Sequence, residues 1–314
     1  MNDSRETLEP GVPAPEVNIN KKVVGVRRLK EPMPKPDQTR VLTVANQKGG
    51  VGKTTTAVNV AAALAMGGLR TVVIDLDPQA NACTALGVDR TDIEGMCEVL
   101  VNNVDLEEVI QKVVGFPHLE CAPADVLLAS AEITMVGFVS RESRLKLALQ
   151  KFLQARAERG ERIDYVIIDC PPSLGLLTIN ALTAANEVMV PIQCEYYSLE
   201  GLTLLISTLD QVRQMLNPEV KISTIILTMF DSRTRLANDV ANTVRQHFPL
   251  ELIDTPIPRA VRVSEAPSFN QTVMTYDAAS PGAIAYLTVA REIAQRGVAA
   301  LPRESEKVEG GVKL

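Results

Sequence analysis

The sequence predicts a single doubly wound α/β domain, in which a mostly parallel sheet is covered by helices on both faces. Two observations lead to this fold class. Short, continuously apolar stretches alternate with longer helix-forming stretches, which is the pattern of parallel strands buried on both sides. A chain of 314 residues with 46% apolar and 22% charged residues also has the composition of a globular protein with a sizeable core.

The strands are predicted where apolar or β-branched residues run without interruption. The first, 41–45, leads into a glycine-rich turn, and the second, 71–76, follows the Gly67-Gly68 pair that ends a helix. Because each later stretch is also continuously apolar, we expect it to be buried on both faces. These stretches are 165–168, 187–192, 222–229 and 252–257.

The helices are predicted between these strands, where good helix formers dominate. The first, 54–66, is rich in alanine and begins directly after the glycine-rich turn. The others are predicted at 144–157, 199–216, 237–248 and 283–296.

Both ends of the chain are predicted to lie outside the domain, which we place at residues 41–300. Residues 1–40 are first acidic, then basic, and are interrupted by prolines, so they cannot bury much apolar surface and are expected to be flexible. This extension is either a docking or DNA-contacting arm or a solubilising tail. Residues 301–314 are polar, contain glycine and are expected to fray.

Charge and composition exclude several classes of function. The net charge of −6 gives no support to nucleic-acid binding by the whole chain, so any such site must be a local patch. The five cysteines are scattered without a C-x-x-C pair, which argues against a disulfide framework and for a reducing compartment. No apolar run is long enough to span a membrane, so we expect a cytoplasmic protein.

The most informative segment joins the first strand to the first helix. Residues 41–55 read VLTVANQKGGVGKTT, which is the strand, loop and helix start of a phosphate-binding loop. Glycines let backbone N–H groups face phosphates, Lys53 can reach the β- and γ-phosphates, and the Thr54 hydroxyl can ligate Mg²⁺. The strict pattern G-x-x-x-x-G-K-[ST] is not met, because Gln47 replaces its first glycine and the loop carries an additional lysine, Lys48. The simpler interpretation is a glycine-rich turn that matches the loop pattern by chance. At average residue usage, such a match is expected in fewer than about one in ten thousand chains of this length.

Two aspartates follow predicted strands of the same sheet. Asp77 lies just after the second strand, and Asp169 ends the third. Carboxylates at the carboxyl ends of parallel strands face the ligand crevice, so Asp169 suits a Mg²⁺-water ligand and Asp77 suits the positioning of an attacking water. Either aspartate taken alone could equally be only a helix N-cap.

These motifs together resemble the ParA/Soj type of partitioning ATPases, in the MinD/ParA superfamily of P-loop ATPases with a deviant Walker A loop. The resemblance runs from about residue 41 to 296 and rests on the loop and on six later segments. One departure is Ala80, where the family often has glycine; because a small residue remains, we expect little effect. The segments are DLDPQ (75–79), DCPPS (169–173), EYYSLEGL (195–202), LTMFDSRT (227–234), IPRAVRVSEAPS (257–268) and SPGAIAY (280–286).

The resemblance implies an ATP-binding enzyme that hydrolyses ATP with Mg²⁺. Lys48 would reach the nucleotide of a second subunit, so that ATP is held between the two chains of a homodimer, and Lys48, Lys53 and Asp77 would be the catalytic residues. Thr54 and, through water, Asp169 would hold the metal. The implied nucleotide-binding residues are Lys48, Gly49, Gly50, Val51, Gly52, Lys53, Thr54 and Thr55, with Met229 and Pro258 as adenine contacts.

The resemblance also implies macromolecular partners. Arginines matching Arg233 and Arg262 would bind double-stranded DNA without regard to its sequence, and dimerisation would double that patch. A ParB-type centromere-binding protein would stimulate hydrolysis, and the protein would associate with the nucleoid. The simpler interpretation of these arginines is that they lie in solvated loops.

Three alternatives remain open at the level of sequence. A MinD-like membrane-cycling ATPase would need a C-terminal amphipathic helix, and residues 301–314 have no bulky apolar stripe. A nitrogenase-iron-protein-like reductase would need cysteines that bridge a cluster between subunits, for which Cys121 and Cys170 are the candidates. A nucleotide-dependent scaffold with negligible turnover is the third.

Overall fold

The computed structural model describes residues 29, 31–90, 94–195 and 198–298. Within these ranges a seven-stranded sheet has the spatial order β3-β4-β2-β5-β1-β6-β7. All neighbouring strands are parallel except the β3–β4 pair, which is antiparallel. The strands are β1 (Arg40–Val44), β2 (Thr71–Asp75), β3 (Gln111–Lys112), β4 (Leu119–Ala122), β5 (Tyr165–Asp169), β6 (Glu187–Gln193) and β7 (Lys221–Thr228).

Eleven α-helices are formed by the described residues. The longest follow β1, β4, β6 and the end of the sheet, as expected for crossover connections in a parallel sheet. The helices are α1 (Lys53–Met66), α2 (Asn81–Leu86), α3 (Leu106–Val109), α4 (Leu128–Thr134), α5 (Arg144–Glu158), α6 (Leu176–Ala184), α7 (Ser198–Met215), α8 (Arg235–His247), α9 (Val261–Glu265), α10 (Val273–Tyr276) and α11 (Pro281–Arg296).

Two clusters of buried side chains hold the sheet and helices together. The larger cluster packs β1, β2, β4 and β5 against helices that include α1, α5 and α11. The smaller cluster packs β6 and β7 against α7 and α8. The continuously apolar strands are buried along almost their whole length, and the predicted fold class is confirmed.

The predicted strand at 252–257 is wrong. This segment runs beside β7 but forms only isolated bridges, at Leu252 and just beyond it at Pro258. Pro256 has no N–H to donate, and the N–H of Asp254 donates instead to Glu292, at 3.3 Å. Nothing in the sequence pattern indicated β3 and β4, which are short and contain polar residues.

The described part of the N-terminal extension lies against the domain. Met33 is buried, and its N–H donates to the Gly67 carbonyl at 3.0 Å, at the end of α1. Arg162 donates to the carbonyl oxygens of Pro36 and Asp37, and β1 itself begins at Arg40. Residues 1–28 and 30 lie outside the described residues, so the flexibility expected of them stays a prediction. Residues 301–314 also lie outside the described residues, and their expected fraying stays a prediction as well. Among the described helices, none combines the length and the apolar character that a membrane crossing needs.

Candidate nucleotide-binding site

The loop between β1 and α1 has the backbone of a phosphate cradle. Gly50 and Gly52 have φ of 75° and 86°, a conformation that other L-residues adopt only with strain. No heavy atom lies within 4 Å of the place where a Cβ would sit at Gly49 or Gly50, so the loop is open on this side. Because α1 begins at Lys53, its unpaired N-terminal amides face the same opening.

Lys53 is buried at the base of this loop. Its Nζ lies 3.3 Å from the carbonyl oxygen of Lys48, so it crosses under the loop. Burial lowers the pKa of Lys53, while the charges of Asp169 and Asp77 act in the opposite direction. A buried ammonium group next to carboxylates is suited to an anionic ligand that completes its charge pairing.

Asp169 has a fully buried carboxylate at the end of β5. Among the described residues, neither of its oxygens has a hydrogen-bond partner of standard geometry. Burial raises the pKa of Asp169 well above its ordinary value, and nearby Asp75 adds to the rise; the Thr54 hydroxyl is near enough to lower it. A buried carboxylate in this state is stabilised by a cation. The donors present therefore fit Mg²⁺, which prefers hydroxyl, water and carboxylate oxygens.

Asp77 is held in place by a neighbour whose role was not predicted from the sequence. One oxygen of Asp75 accepts from the Asp77 N–H and the other from the N–H and Sγ of Cys83, each at 3.1 Å. Asp75 thus ties the loop after β2 to the first turn of α2. Burial raises the pKa of Asp75 to about 6. Its position in the segment DLDPQ places it in a motif, but no local pattern signals the hydrogen bonds that it makes.

The departure from the family pattern at Ala80 has a structural cost. Ala80 has φ 52° and ψ 37°, which is the left-handed region that glycine occupies without strain. A non-glycine residue there costs about 1–2 kcal/mol. The expectation of little effect considered side-chain size, whereas the backbone conformation is what favours glycine.

Lys48 lies at the surface of the loop and is paired within its own chain. Its Nζ is 2.9 Å from Oε2 of Glu195, the first residue of the segment EYYSLEGL. The other oxygen, Oε1, accepts from Gln193 and lies 4.0 Å from Nη2 of Arg259. The Lys48 ammonium group thus points toward the residues that follow β6. No local motif in the sequence signals this pairing.

Met229 and Pro258 lie at the end of β7, beside the same opening. Phe230 and Pro258 form a parallel bridge, and the N–H of Phe230 donates to the Ile257 carbonyl at 2.9 Å. Met229 has φ 50°, so the chain turns sharply there. Both predicted adenine contacts are half-buried and belong to two adjacent, mutually bonded loops.

The two predicted DNA-contacting arginines are exposed and held by acidic neighbours. The side chain of Arg233 is 87% exposed and pairs with Asp231 at 2.8 Å, which lowers the pKa of that carboxyl to about 2. Arg262, 54% exposed, pairs with Glu265 at 3.0 Å and with Asp277 at 3.6 Å. These arginines lie on the loop before α8 and on α9, and no described contact joins them.

The reductase alternative does not fit the structure. Cys121 and Cys170 are both fully buried, and a cluster shared between subunits would need cysteines at the surface.

The chain is similar to known proteins along most of its length. A family model described as "AAA domain" matches residues 39–222. The chain is 46% identical over 259 residues to the sporulation initiation inhibitor protein Soj of Bacillus subtilis, covering 82% of this chain and 99% of that protein. It is 47% identical over 258 residues to the chromosome partitioning protein ParA of Caulobacter vibrioides, covering 82% and 94%.

A solved structure bears on the ligand. The Mycobacterium smegmatis protein described as cobyrinic acid a,c-diamide synthase, with bound ADP and magnesium, superposes with a TM-score of 0.68. The two chains are 38% identical, and the match covers 82% of this chain and 93% of that one. The nucleotide and metal bound in that relative are those that the loop and Asp169 of this chain fit.

Proposed function

Because the chain belongs to the ParA/Soj family of chromosome-partitioning ATPases, we propose that it drives the segregation of a chromosome or plasmid. Its activity is ATP hydrolysis. The observation that carries the proposal is the combination of a glycine-rich loop, a buried Asp169 carboxylate that has no hydrogen-bond partner of standard geometry among the described residues, and a second, partly exposed lysine in the loop. The first two features suit hydrolysis of a nucleoside triphosphate, and the third suits a contact beyond the chain.

The site binds ATP with Mg²⁺. Backbone N–H groups of residues 49–55 and the ammonium group of Lys53 hold the phosphates, and Met229 with Pro258 hold the adenine. The Thr54 hydroxyl and a water held by Asp169 bind Mg²⁺, which neutralises charge on the β- and γ-phosphates.

Asp77 orients the attacking water. Its backbone N–H donates to Asp75 and its Oδ1 accepts from the Gln79 N–H at 3.0 Å, so both the backbone and the carboxylate of Asp77 are held in place. The Asp77→Ala variant should bind ATP and dimerise but hydrolyse ATP at least about tenfold more slowly, and measured turnover equal to wild type would assign the role elsewhere.

Binding of ATP causes two chains to dimerise. Two triphosphates that face each other repel unless cations lie between them, and Lys48 supplies such a cation from each chain. For this, Lys48 must leave Glu195, which holds it in the single chain. The ATP-bound dimer then binds double-stranded DNA through Arg233 and Arg262, associates with the nucleoid, and is reset when a ParB-type partner stimulates hydrolysis.

A DNA co-sedimentation assay with no nucleotide, ADP or ATP tests the proposal. We expect DNA binding only with ATP, and ATP turnover that rises several-fold when DNA and a ParB-type protein are both present. DNA binding that ignores nucleotide would contradict the switch, and turnover that stays negligible would favour the scaffold alternative. The MinD-like alternative rests on residues 301–314, outside the described part of the chain.

A further inference from the structure

A chain of hydrogen bonds runs from α2 to the loop that carries Asp77. The Cys83 N–H and the Cys83 thiol both donate to Oδ2 of Asp75, each at 3.1 Å. The other oxygen of Asp75, Oδ1, accepts from the Asp77 N–H at 3.1 Å. The Asp75 side chain thus joins the first turn of α2 to the residue that is proposed to orient the attacking water.

The packing of α2 makes it a firm support for these bonds. The Val88 N–H donates to the Cys83 carbonyl at 3.0 Å and so closes the last turn of the helix. Because close packing fixes a short helix against the sheet, the position of the Cys83 side chain is fixed as well. Four of the six residues of α2 are buried in the larger core cluster: Ala82, Cys83, Ala85 and Leu86.

The backbone between Asp77 and α2 forms a tight turn. The Ala80 N–H donates to the Asp77 carbonyl at 2.7 Å, and the Gln79 N–H donates to Oδ1 of Asp77 at 3.0 Å. Ala80 has the left-handed backbone described above, so this turn contains a strained residue. Strain favours other conformations of the turn, and a second restraint is needed to hold Asp77 in one position. The bond from the Asp77 N–H to Asp75 is such a restraint.

The Cys83 thiol lies between the Asp75 carboxylate and one other sulfur atom. Its Sγ is 4.0 Å from Sγ of Cys121 on β4, and both cysteines are fully buried. A thiol is a weak donor, but its bond to a carboxylate is strengthened by burial and by the negative charge. In the described part of the chain, Cys121 makes no hydrogen bond to Asp75, so it offers a direct comparison with Cys83.

We propose that Cys83 is a positioning residue for ATP hydrolysis, which acts through Asp75 on Asp77; this inference rests on the proposed function. The thiol and the N–H of Cys83 together fix one oxygen of Asp75, and the other oxygen then holds the Asp77 N–H in line. Without the thiol, a single donor remains on that oxygen and the Asp75 carboxylate gains freedom to rotate. The Asp77 carboxylate is then less well aligned with the attacking water.

The test compares full-length variants at three positions. Cys83→Ala removes the thiol and keeps the backbone N–H, whereas Cys83→Ser supplies a stronger donor of similar size. Asp75→Asn keeps the shape of the side chain but turns an N–H₂ group toward one of the donors that Asp75 now accepts from. Cys121→Ala is the matched control, because it removes a buried thiol from the same part of the core without removing a bond to Asp75.

We expect Cys83→Ala to lower kcat roughly three- to tenfold and to keep KM for ATP within about twofold of wild type, because the bond that is lost aligns Asp77 and does not bind the nucleotide. Asp75→Asn should lower kcat at least about tenfold. Cys83→Ser should restore kcat to near the wild-type value, and Cys121→Ala should leave it unchanged. Steady-state ATP turnover gives kcat and KM, and thermal unfolding shows that each variant is folded.

A double change separates positioning from a general loss of structure. If Cys83 acts through Asp77, Cys83→Ala should lower kcat no further when it is combined with Asp77→Ala. A structural defect would instead lower the turnover of the double variant below that of Asp77→Ala alone.

Three results would overturn the inference and leave the proposed function standing. They are a wild-type kcat in Cys83→Ala, a kcat in Cys121→Ala as low as that in Cys83→Ala, and a double variant slower than Asp77→Ala. The second result would assign the effect to packing in the core. If Asp77→Ala itself hydrolyses ATP at the wild-type rate, the proposed role of Asp77 fails and the inference fails with it.

Discussion

At the scale of single residues, replacing either lysine of the phosphate loop by alanine is expected to remove a different property of the protein. Lys53 is buried under the loop, whereas Lys48 lies at its surface and is paired with Glu195. Lys53→Ala should therefore weaken ATP binding by at least about a hundredfold, since charge-assisted bonds to the phosphates are lost. Lys48→Ala should bind ATP within a few-fold of wild type but lose the ATP-dependent dimer.

Equilibrium binding of a fluorescent ATP analogue and light scattering measure the two properties, and each lysine variant serves as the control for the other. Near-normal ATP affinity in Lys53→Ala would contradict the phosphate-loop assignment. A dimer that survives in Lys48→Ala would reject the contact between subunits.

We expect the Asp169 carboxylate to lower the stability of the nucleotide-free chain relative to a variant with a neutral side chain at this position. Its pKa is raised by burial, so the ionised form is disfavoured in the folded chain relative to the unfolded one. Such a group opposes folding at neutral and higher pH, and this effect fades as the pH falls and the carboxyl is protonated. With EDTA and no nucleotide, Asp169→Asn should thus raise Tm by a few degrees at about pH 7.5, and the gain should shrink toward pH 5.

Calorimetry over this pH range measures the effect, and Asp164→Asn is the control. Asp164 is also buried, but its carboxylate accepts from the Arg70 N–H at 2.9 Å and pairs with Arg162 at 3.1 Å. That change should lower Tm instead. A Tm of Asp169→Asn below wild type at neutral pH would show that the carboxylate has a partner in the nucleotide-free chain.

The sequence predicted the site residues whose chemistry lies in short motifs, and not those whose role depends on tertiary contacts. Lys53 and Asp169 could be identified because a phosphate loop and a strand-end carboxylate have local signatures. Glu195 is far from Lys48 in sequence and meets it only because β6 lies next to β1 in the sheet. Asp75 looks like the end of an ordinary strand until its three hydrogen bonds are seen.

At the scale of elements, prediction succeeded where hydrophobic patterning is strong. β2 and β5 are buried at every position, and their predicted bounds differ from the observed ones by a single residue. β3 and β4 were not predicted because a two-residue strand and a four-residue strand interrupted by Glu120 carry almost no pattern. Segment 252–257 has the pattern of a strand, but the pairing of an edge segment depends on its neighbours as well as its composition.

The packing of α9 on α11 depends on a glycine. A Cβ at Gly282 would lie 2.4 Å from Cγ2 of Val263, a stiff β-branched side chain on the helix that carries Arg262. Gly282→Ala should cost about 1–3 kcal/mol of unfolding free energy, because α9 must move. Urea denaturation measures the loss.

Gly137→Ala is the matched control, since no heavy atom lies within 4 Å of the place where its Cβ would sit and its φ is not left-handed. It should change stability by less than about 0.5 kcal/mol. The double change Val263→Ala with Gly282→Ala should cost less than the sum of the single changes, because removing Cγ2 makes room for the new methyl group. If the losses of unfolding free energy from the two changes were additive, the contact with Val263 would not be the cause of the effect of Gly282→Ala.

At the scale of the whole molecule, an acidic chain is proposed to bind a polyanion. The net charge of −6 repels DNA, so the proposed binding would depend on local arginines and on the doubling of their number in the dimer. Arg233 and Arg262 each keep an acidic partner, at 2.8 and 3.0 Å, and contact with a phosphate must compete with that pair. Under this proposal, the competition should keep the DNA affinity of the single chain low and should make DNA binding depend strongly on dimerisation.

Replacing Arg233 or Arg262 by alanine should thus weaken DNA binding to a similar extent for any DNA sequence, and should leave ATP binding and the dimer intact. One lost contact per chain removes two from the dimer, so the slope of log K against log salt should flatten by roughly 2. Titration of labelled DNA at several salt concentrations measures both. Arg245→Ala removes the same charge from an exposed position near the end of α8 and should leave the slope unchanged. If Arg245→Ala flattened the slope as much as Arg233→Ala, net charge alone would explain the loss. If neither predicted arginine changed the slope, the DNA surface would lie elsewhere, and the basic stretch at residues 21–40 would be tested by deletion of residues 1–40.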